Sequence, residues 1–256
     1  MTKVTSRTAT GIDGFDGLVE GGFPRNSSVL ISGAPGTGKT TFALQFIYNG
    51  IKKFKENAVY VTMEEPIENL KATAKRFGMD FEEMDKKGSI IFLRHHSRDK
   101  DLLSRIREAV EINKAKRLVI DSLASLMTYA PFNSSIKSGE NIMEYGKDII
   151  VMPAVIGENM SRVFIHNLID DLRTLGCTTL LTTELGQDGR WLSRDSVSEF
   201  VCDGVIVMST LTLTGEIGRS LTIRKMRMTK HTLDVHDLDI SNSGLKVMHA
   251  ERGLKV

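Results

Sequence analysis

Lys39 and Thr40 close the run Gly33-Ala34-Pro35-Gly36-Thr37-Gly38-Lys39-Thr40, and Thr41 follows directly. Glycines, a lysine and a hydroxyl at this spacing make a phosphate-binding loop when a strand leads in and a helix leads out. The glycines let the backbone turn tightly enough for several N–H groups to point into one concavity, and the positive end of the helix adds to the attraction for an anion. Lys39 would reach the outer phosphates of a nucleotide, and Thr40 would give one hard oxygen ligand to Mg2+. Both flanks agree. Residues 28–32 are an apolar run of strand length, and Phe42, Ala43, Phe46 and Ile47 recur at helical spacing.

Acidic candidates stand at two further strand ends. The apolar run 58–63 stops on Glu64-Glu65-Pro66, which puts carboxylates where α/β sheets collect their ligands. These glutamates either complement the next helix start or activate an attacking water. Residues 117–120 lead likewise into Asp121, the acidic partner with which a phosphate loop holds Mg2+ through its water shell. On the basic side, Lys225, Arg227, Thr229 and His231 alternate and would share one face of an extended strand. Locally that pattern reads as a solvated edge guarded by charge. His95 and His96 are adjacent, so they diverge on any regular element, and no other ligand stands at helpful spacing for a metal.

The frame that must hold these residues is an alternating β/α chain. Pro66 suits the opening of a helix that Gly78 stops. A strand over 89–93, a helix over 99–113 and the strand ending on Asp121 follow. In 129–158, Pro153 argues against an uninterrupted helix. A helix resumes near Asn159, with Phe164, Leu168, Leu172 and Leu175 on one face and Gly176 as its cap, before a strand over 177–182. Strand-like runs over 201–209, 220–228 and 233–240 then come without helices between them. The expected fold is therefore α/β, a mostly parallel sheet flanked by helices, with antiparallel C-terminal strands.

Composition narrows the function. At 256 residues and 41% apolar content, one domain with a sizeable core is expected. Lysine plus arginine (34) nearly balance aspartate plus glutamate (32), so no overall field draws the chain to nucleic acid or to an anionic membrane. No apolar run approaches the roughly 18 residues needed to span a bilayer, and the Thr-rich start lacks a hydrophobic secretory region, which predicts a cytoplasmic protein. Cys177 and Cys202 lie in apolar runs and read as buried thiols.

With these residues in hand, the chain resembles a RecA-superfamily ATPase of the KaiC type over nearly its whole length. Thr10-Gly11-Ile12, Gly14-Phe15-Asp16 and Gly21-Gly22-Phe23-Pro24 are similar to the family's lead-in, and Phe46-Ile47-Tyr48-Asn49-Gly50 to its post-loop helix. Thr182-Thr183-Glu184, Glu199-Phe200-Val201 and Lys225-Met226-Arg227 follow in order. The resemblance implies a RecA-like core and a homohexamer that binds ATP and Mg2+ between subunits. It implies that Glu64 activates water beside Glu65, and that Arg76 and Phe77 lie near the base. Lys225, Met226, Arg227, Thr229 and His231 would reach the neighbouring subunit's nucleotide, with Ser241 and Asn242 continuing that contact. This reverses the local reading of the basic strand.

Two departures matter. The family's namesake carries two such domains against one here, so a clock function is not carried over. The stretch 129–158 is longer than the family pattern and is expected to be an insertion that docks a protein partner. The leading expectation is ATP hydrolysis by a ring in a regulatory or signalling role. A recombinase-like DNA-binding protein is one alternative, although Lys137 and Lys147 face Glu140, Glu144, Asp148 and Glu158 in the region that would grip DNA, and the 32 residues before the loop are few for an added DNA-binding module. A protein autokinase is another, opposed by Glu199 and Phe200, which cannot accept phosphate where the family's kinase half has serine and threonine.

Overall fold

The computed structural model describes residues 6–95, 102–129, 154–186, 191–213 and 216–248. A two-stranded lead-in, β1 (Arg7–Thr8) paired with β2 (Phe23–Pro24), brackets a short 3-10 turn at Asp16–Val19. Among the described residues, nine strands then form one sheet. In chain order these are β3 (Ser28–Gly33), β4 (Ala58–Thr62), β5 (Ile90–Arg94), β6 (Arg117–Asp121), β7 (Thr178–Thr183), β8 (Gly204–Leu213), β9 (Glu216–Met226), β10 (Val235–Ser241) and β11 (Gly244–Met248). Their spatial order is β11-β10-β9-β8-β3-β7-β6-β4-β5. Strands β8 through β5 in that order run parallel, and β9, β10 and β11 continue antiparallel.

Parallel strands are buried on both faces, which is why β3 and β4 are apolar without alternation and buried throughout. On one face pack α1 (Lys39–Phe54), α2 (Ile67–Arg76) and the lead-in, through Phe15, Phe42, Phe46 and Leu70. The other face is covered by α4 (Leu102–Asn113), α5 (Leu123–Tyr129), α6 (Ala154–Thr174) and α7 (Ser198–Val201), with Ile106, Leu123, Ile165 and Val201 buried there. The short α3 (Glu82–Lys86) precedes β5.

Arg117 locks the lead-in onto this frame. Its guanidinium is fully buried, pairs with Glu56 at 2.8 Å, and donates to the carbonyls of Phe46 at 2.9 Å and Ala9 at 2.7 Å. The Phe46 and Phe54 rings lie 4.6 and 5.3 Å away. Space for it comes from Gly50, where an added Cβ would stand 2.3 Å from the Arg117 Nε.

Some expected boundaries move. α6 begins at Ala154 rather than near Asn159, directly after Pro153 in the chain, and proline suits the start of a helix. The rest of the expected insertion, residues 130–153, lies outside the described residues. The last third holds four strands where three were expected: a turn at 242–243 starts β11, which folds back on β10. β9 ends at Met226, so Thr229 and His231 lie beyond the strand that was expected to align them with Lys225. β9 also carries one extra residue, Arg224. Ile223 pairs with Ile206, but Lys225 pairs with Val205. This bulge keeps Leu221, Ile223 and Met226 buried on one face and turns Lys225 to the other.

Candidate nucleotide site

The carboxyl ends of β3, β6 and β4 meet around a cleft of about 430 Å³. Its wall includes Pro35, Gly36, Gly38, Lys39, Thr40, Thr41, Glu64, Phe77, Asp121, Ser122, Thr183, Glu184, Arg219 and Ile240. Gly36 and Gly38 take φ of 81° and 104°, a region that side chains disfavour, so the loop can curl back to start α1 at Lys39. Thr37, fully buried, ties the loop to the Ala34 carbonyl at 2.8 Å, and Gly33 ends β3 beside Met208.

Lys39 Nζ donates to the carbonyls of Gly33 at 2.7 Å and Ala34 at 3.1 Å. Burial pushes its pKa below the usual lysine value, while the carboxylates of Asp121, Glu184 and Glu64 pull the other way. The ammonium therefore stands in a partly dry, acidic setting, where a polyphosphate would be a strong partner.

Asp121 is held on three sides. β6 lies between β7 and β4, so Thr182 and Tyr60 approach from opposite neighbours: Thr182 donates to one carboxylate oxygen and Tyr60 to the other at 2.7 Å. Burial, then the nearby Asp121 charge, pushes the Tyr60 pKa well above normal, which keeps it a donor. Thr40 Oγ1 donates to Asp121 Oδ2 at 2.9 Å, so the two expected Mg2+ ligands already touch. Among the described residues no group of three or more His, Cys, Asp or Glu forms a metal cluster. A hydroxyl and a carboxylate, both hard oxygens, fit an ion that keeps most of its shell as water and phosphate. His95 is buried, and His96 lies outside the described residues.

Glu64 faces the loop from the end of β4. Its Oε1 accepts from Ser122 Oγ at 3.2 Å and from Ser125 Oγ. Glu65 sits behind it, with its carboxyl raised above the ordinary range first by burial and then by Asp121. Phe77 lines the cleft at the end of α2, where Arg76 is the last helical residue. Asn242 is also beside this site: its carbonyl oxygen lies 3.2 Å from where Gly78 would carry a Cβ. Ser241 and Asn242 thus flank their own subunit's cleft, whereas the resemblance assigned them to a contact with the neighbour's nucleotide.

The basic segment stands elsewhere. Lys225 and Arg227 lie at the opposite end of the sheet from the loop, since Lys225 pairs with Val205 near the start of β8 while Gly33 pairs with Met208. They are partnered within the chain. Lys225 Nζ donates to the carbonyls of Glu199 at 3.1 Å, Phe200 at 2.9 Å and Cys202 at 2.7 Å, and Arg227 to Asp203 and the Phe200 carbonyl, both at 3.2 Å. Burial, then the adjacent Arg227 charge, lowers the Lys225 pKa. Met226 is buried in the core, Thr229 accepts from Arg7, and His231 contacts the Thr232 carbonyl at 3.0 Å.

The cation that does reach the loop from β9 is Arg219, whose Nε donates to the Gly36 carbonyl at 3.1 Å. Sequence reasoning missed it, together with Tyr60, Ser122 and Ser125. Thr182-Thr183-Glu184 was noticed as a motif without a role, and its position beside β3 and β6 supplies one.

Among the described residues no helix is long and apolar enough to cross a membrane. The chain is 30% identical over 257 residues to the circadian clock oscillator protein KaiC of Synechococcus elongatus, covering 96% of this chain but only 44% of that protein. It is 31% identical to a UPF0273 protein of Thermotoga maritima, with 96% and 98% covered. Among solved structures, a KaiC-like protein of the hyperthermophilic archaeon Pyrococcus horikoshii matches with a TM-score of 0.79 at 35% identity, covering 96% of this chain and 100% of that one. Residues 8–138 and 149–252 match the KaiC ATPase family, and with an ATP-type cleft built from the matching loop, the chain belongs to that family of RecA-like ATPases.

Proposed function

We propose that this protein hydrolyses Mg-ATP in a homohexameric ring and serves a regulatory role through a protein partner. The observation that carries hydrolysis is the convergence of Lys39, Thr40, Asp121 and Glu64 on one cleft. The loop N–H groups and Lys39 hold the phosphates, and Thr40 with Asp121 would hold Mg2+, which when bound neutralises charge building on the phosphate oxygens. Glu64, braced by two serine hydroxyls, orients or deprotonates water for in-line attack on the γ-phosphate.

Arg227 and Lys225 act from the adjacent subunit in this reading. What supports it is their distance from their own loop: six residues of strand separate Lys225 from Arg219, roughly 20 Å at strand rise. A cation brought to the γ-phosphate from a neighbour stabilises transition-state charge.

The test is complementation. Lys39→Ala subunits and Arg227→Ala subunits, each inactive alone, are mixed, and exchange is verified by native mass spectrometry. Interfaces that unite an intact Lys39 with an intact Arg227 should regain ATPase activity. Verified exchange with no recovered activity overturns the shared site, and loss of nothing in Lys39→Ala overturns hydrolysis at this cleft.

A further inference from the structure

Residues 191–203 connect the chain's nucleotide cleft to the cations at its far end. Glu184 lines the cleft, and its Oε2 accepts from Arg194 Nη1 at 2.8 Å. Arg194 sits between two anchors of α7. On one side Ser193, fully buried, donates to Glu199 Oε2 at 2.9 Å inside the fold. On the other side Asp195 accepts from the N–H groups of Val197 and Ser198 at 2.8 and 2.6 Å and from the Ser198 hydroxyl at 2.7 Å. At the other end of α7 the carbonyls of Glu199 and Phe200 receive Lys225, and Phe200 also receives Arg227.

ATP and ADP must load the first link differently. Glu184 is within electrostatic range of the Lys39 ammonium. A γ-phosphate seated on Lys39 takes over as that lysine's counter-charge and repels the Glu184 carboxylate, and ADP brings no such group. A shift of Glu184 would reach Arg194 through their ion pair, and α7 beyond it is tied at both ends.

We propose that Arg194 and α7 form a transmitter that reports the γ-phosphate in one subunit's cleft to Lys225 and Arg227 of that same subunit, and so sets the cations it offers to the next site in the ring. The second half rests on the trans role given to Lys225 and Arg227 above. Contiguity alone does not establish coupling, so the test reads the element itself.

Trp191 is the chain's one tryptophan, and its ring meets the Phe200 ring of α7 edge-on with centroids 6.3 Å apart. It also touches the turn after Glu184, where Gly186 N–H donates to the Trp191 carbonyl at 3.2 Å, so its emission reports the link from Glu184 to α7. In the full-length protein with Mg2+, a non-hydrolysable ATP analogue should shift Trp191 emission and ADP should not. Arg194→Ala should still bind the analogue in equilibrium dialysis but lose the shift. If Arg194→Ala does not fold, Glu184→Gln removes the same ion pair from its other side and must erase the difference between analogue and ADP. No shift in the wild type, or an undiminished shift in a folded variant, overturns the transmitter. Complementation between Lys39→Ala and Arg227→Ala with an undiminished Arg194→Ala shift sinks the transmitter alone. A lost shift without complementation sinks the trans role and leaves the link from Glu184 to α7 standing.

Discussion

Arg219 and Lys225 share one strand and serve different ends of the molecule. Arg219 Nε lies 3.1 Å from the Gly36 carbonyl on the phosphate loop, while Lys225 Nζ lies 2.7 Å from the Cys202 carbonyl at the opposite edge. Arg219 therefore belongs to the cleft of its own chain, and Lys225 stands away from it among the carbonyls at the end of α7.

Substitution separates the two. Arg219→Ala should weaken ATP binding on the order of tenfold, as expected for a lost charge-assisted contact. Mixed with Lys39→Ala it should restore no activity, because both defects fall in one site. Arg227→Ala should instead cost about 10³ to 10⁵ in turnover and complement Lys39→Ala. Recovered ATPase in the Arg219 mixture would place that arginine in trans.

Lys39→Ala and Glu64→Gln should part company on binding. The first removes the charge that holds phosphate, and the second removes only the carboxylate that engages water, a loss of about 10² to 10⁴ in rate. Equilibrium dialysis should find ATP retained by Glu64→Gln and lost by Lys39→Ala. Equal loss in both would strip Glu64 of its role.

Gly50→Ala should destabilise the fold by about 1 to 3 kcal/mol in urea unfolding, because its methyl overlaps the buried Arg117 guanidinium. Arg117→Ala should cost about 3 to 5 kcal/mol by leaving the Phe46 and Ala9 carbonyls without their donor and Glu56 with only the more exposed Arg25 as partner. Arg117→Lys should recover little, since an ammonium cannot reach Glu56, Phe46 and Ala9 together. A fully stable Arg117→Lys would contradict the geometry of this lock.

Alkaline pH should weaken the fold through its thiols. Burial, first of all, pushes Cys177 up to about 11 and Cys202 up to about 12. Unfolded cysteine ionises near 8.5. Between those values the unfolded chain binds fewer protons than the folded one, so stability is intact below about pH 8.5 and falls as pH rises toward the folded values. Thermal melts from pH 8 to pH 10 should show the decline, and Cys202→Ala should flatten it. Neither thiol should react with iodoacetamide in the native state at pH 8.

How much of this was legible in the sequence depended on the range of the interaction. The loop, Asp121 and Glu64 each sit at the end of an apolar run, a local signal, and the frame of parallel strands followed from the same runs. Arg219 was not legible. Its neighbours Gly218 and Ser220 carry no mark of which end of the sheet they will occupy, and only the pairing of Arg219 with Thr210 brings it to the loop. Tyr60 and Thr182 became partners of Asp121 only through strand order. The burial of Arg117 was not legible either, because the residues that enclose it, Gly50, Glu56 and Ala9 of the lead-in, are far from it in the chain. Lys225 and Arg227 read locally as a solvated edge because most of their acceptors are backbone carbonyls, which no residue type advertises, and the one carboxylate, Asp203, is more than twenty residues away.

The bulge at Arg224 gives the hairpin a parity. Just upstream of it the odd-numbered Leu221 and Ile223 face the core beside α1, and downstream an even-numbered residue, Met226, does so. Deleting Arg224 would keep every functional residue type and nearly the same composition. It would leave Lys225 opposite Val205 and Met226 opposite Gly204 as they are; the phase reverses instead when Arg224 is kept and takes the place opposite Val205, which sends Lys225 into the core face and Met226 toward α7. The direction in which the cations point is thus encoded in whether one residue is counted into the ladder, so two relatives can share Lys-Met-Arg letter for letter and still differ in whether the cations point outward.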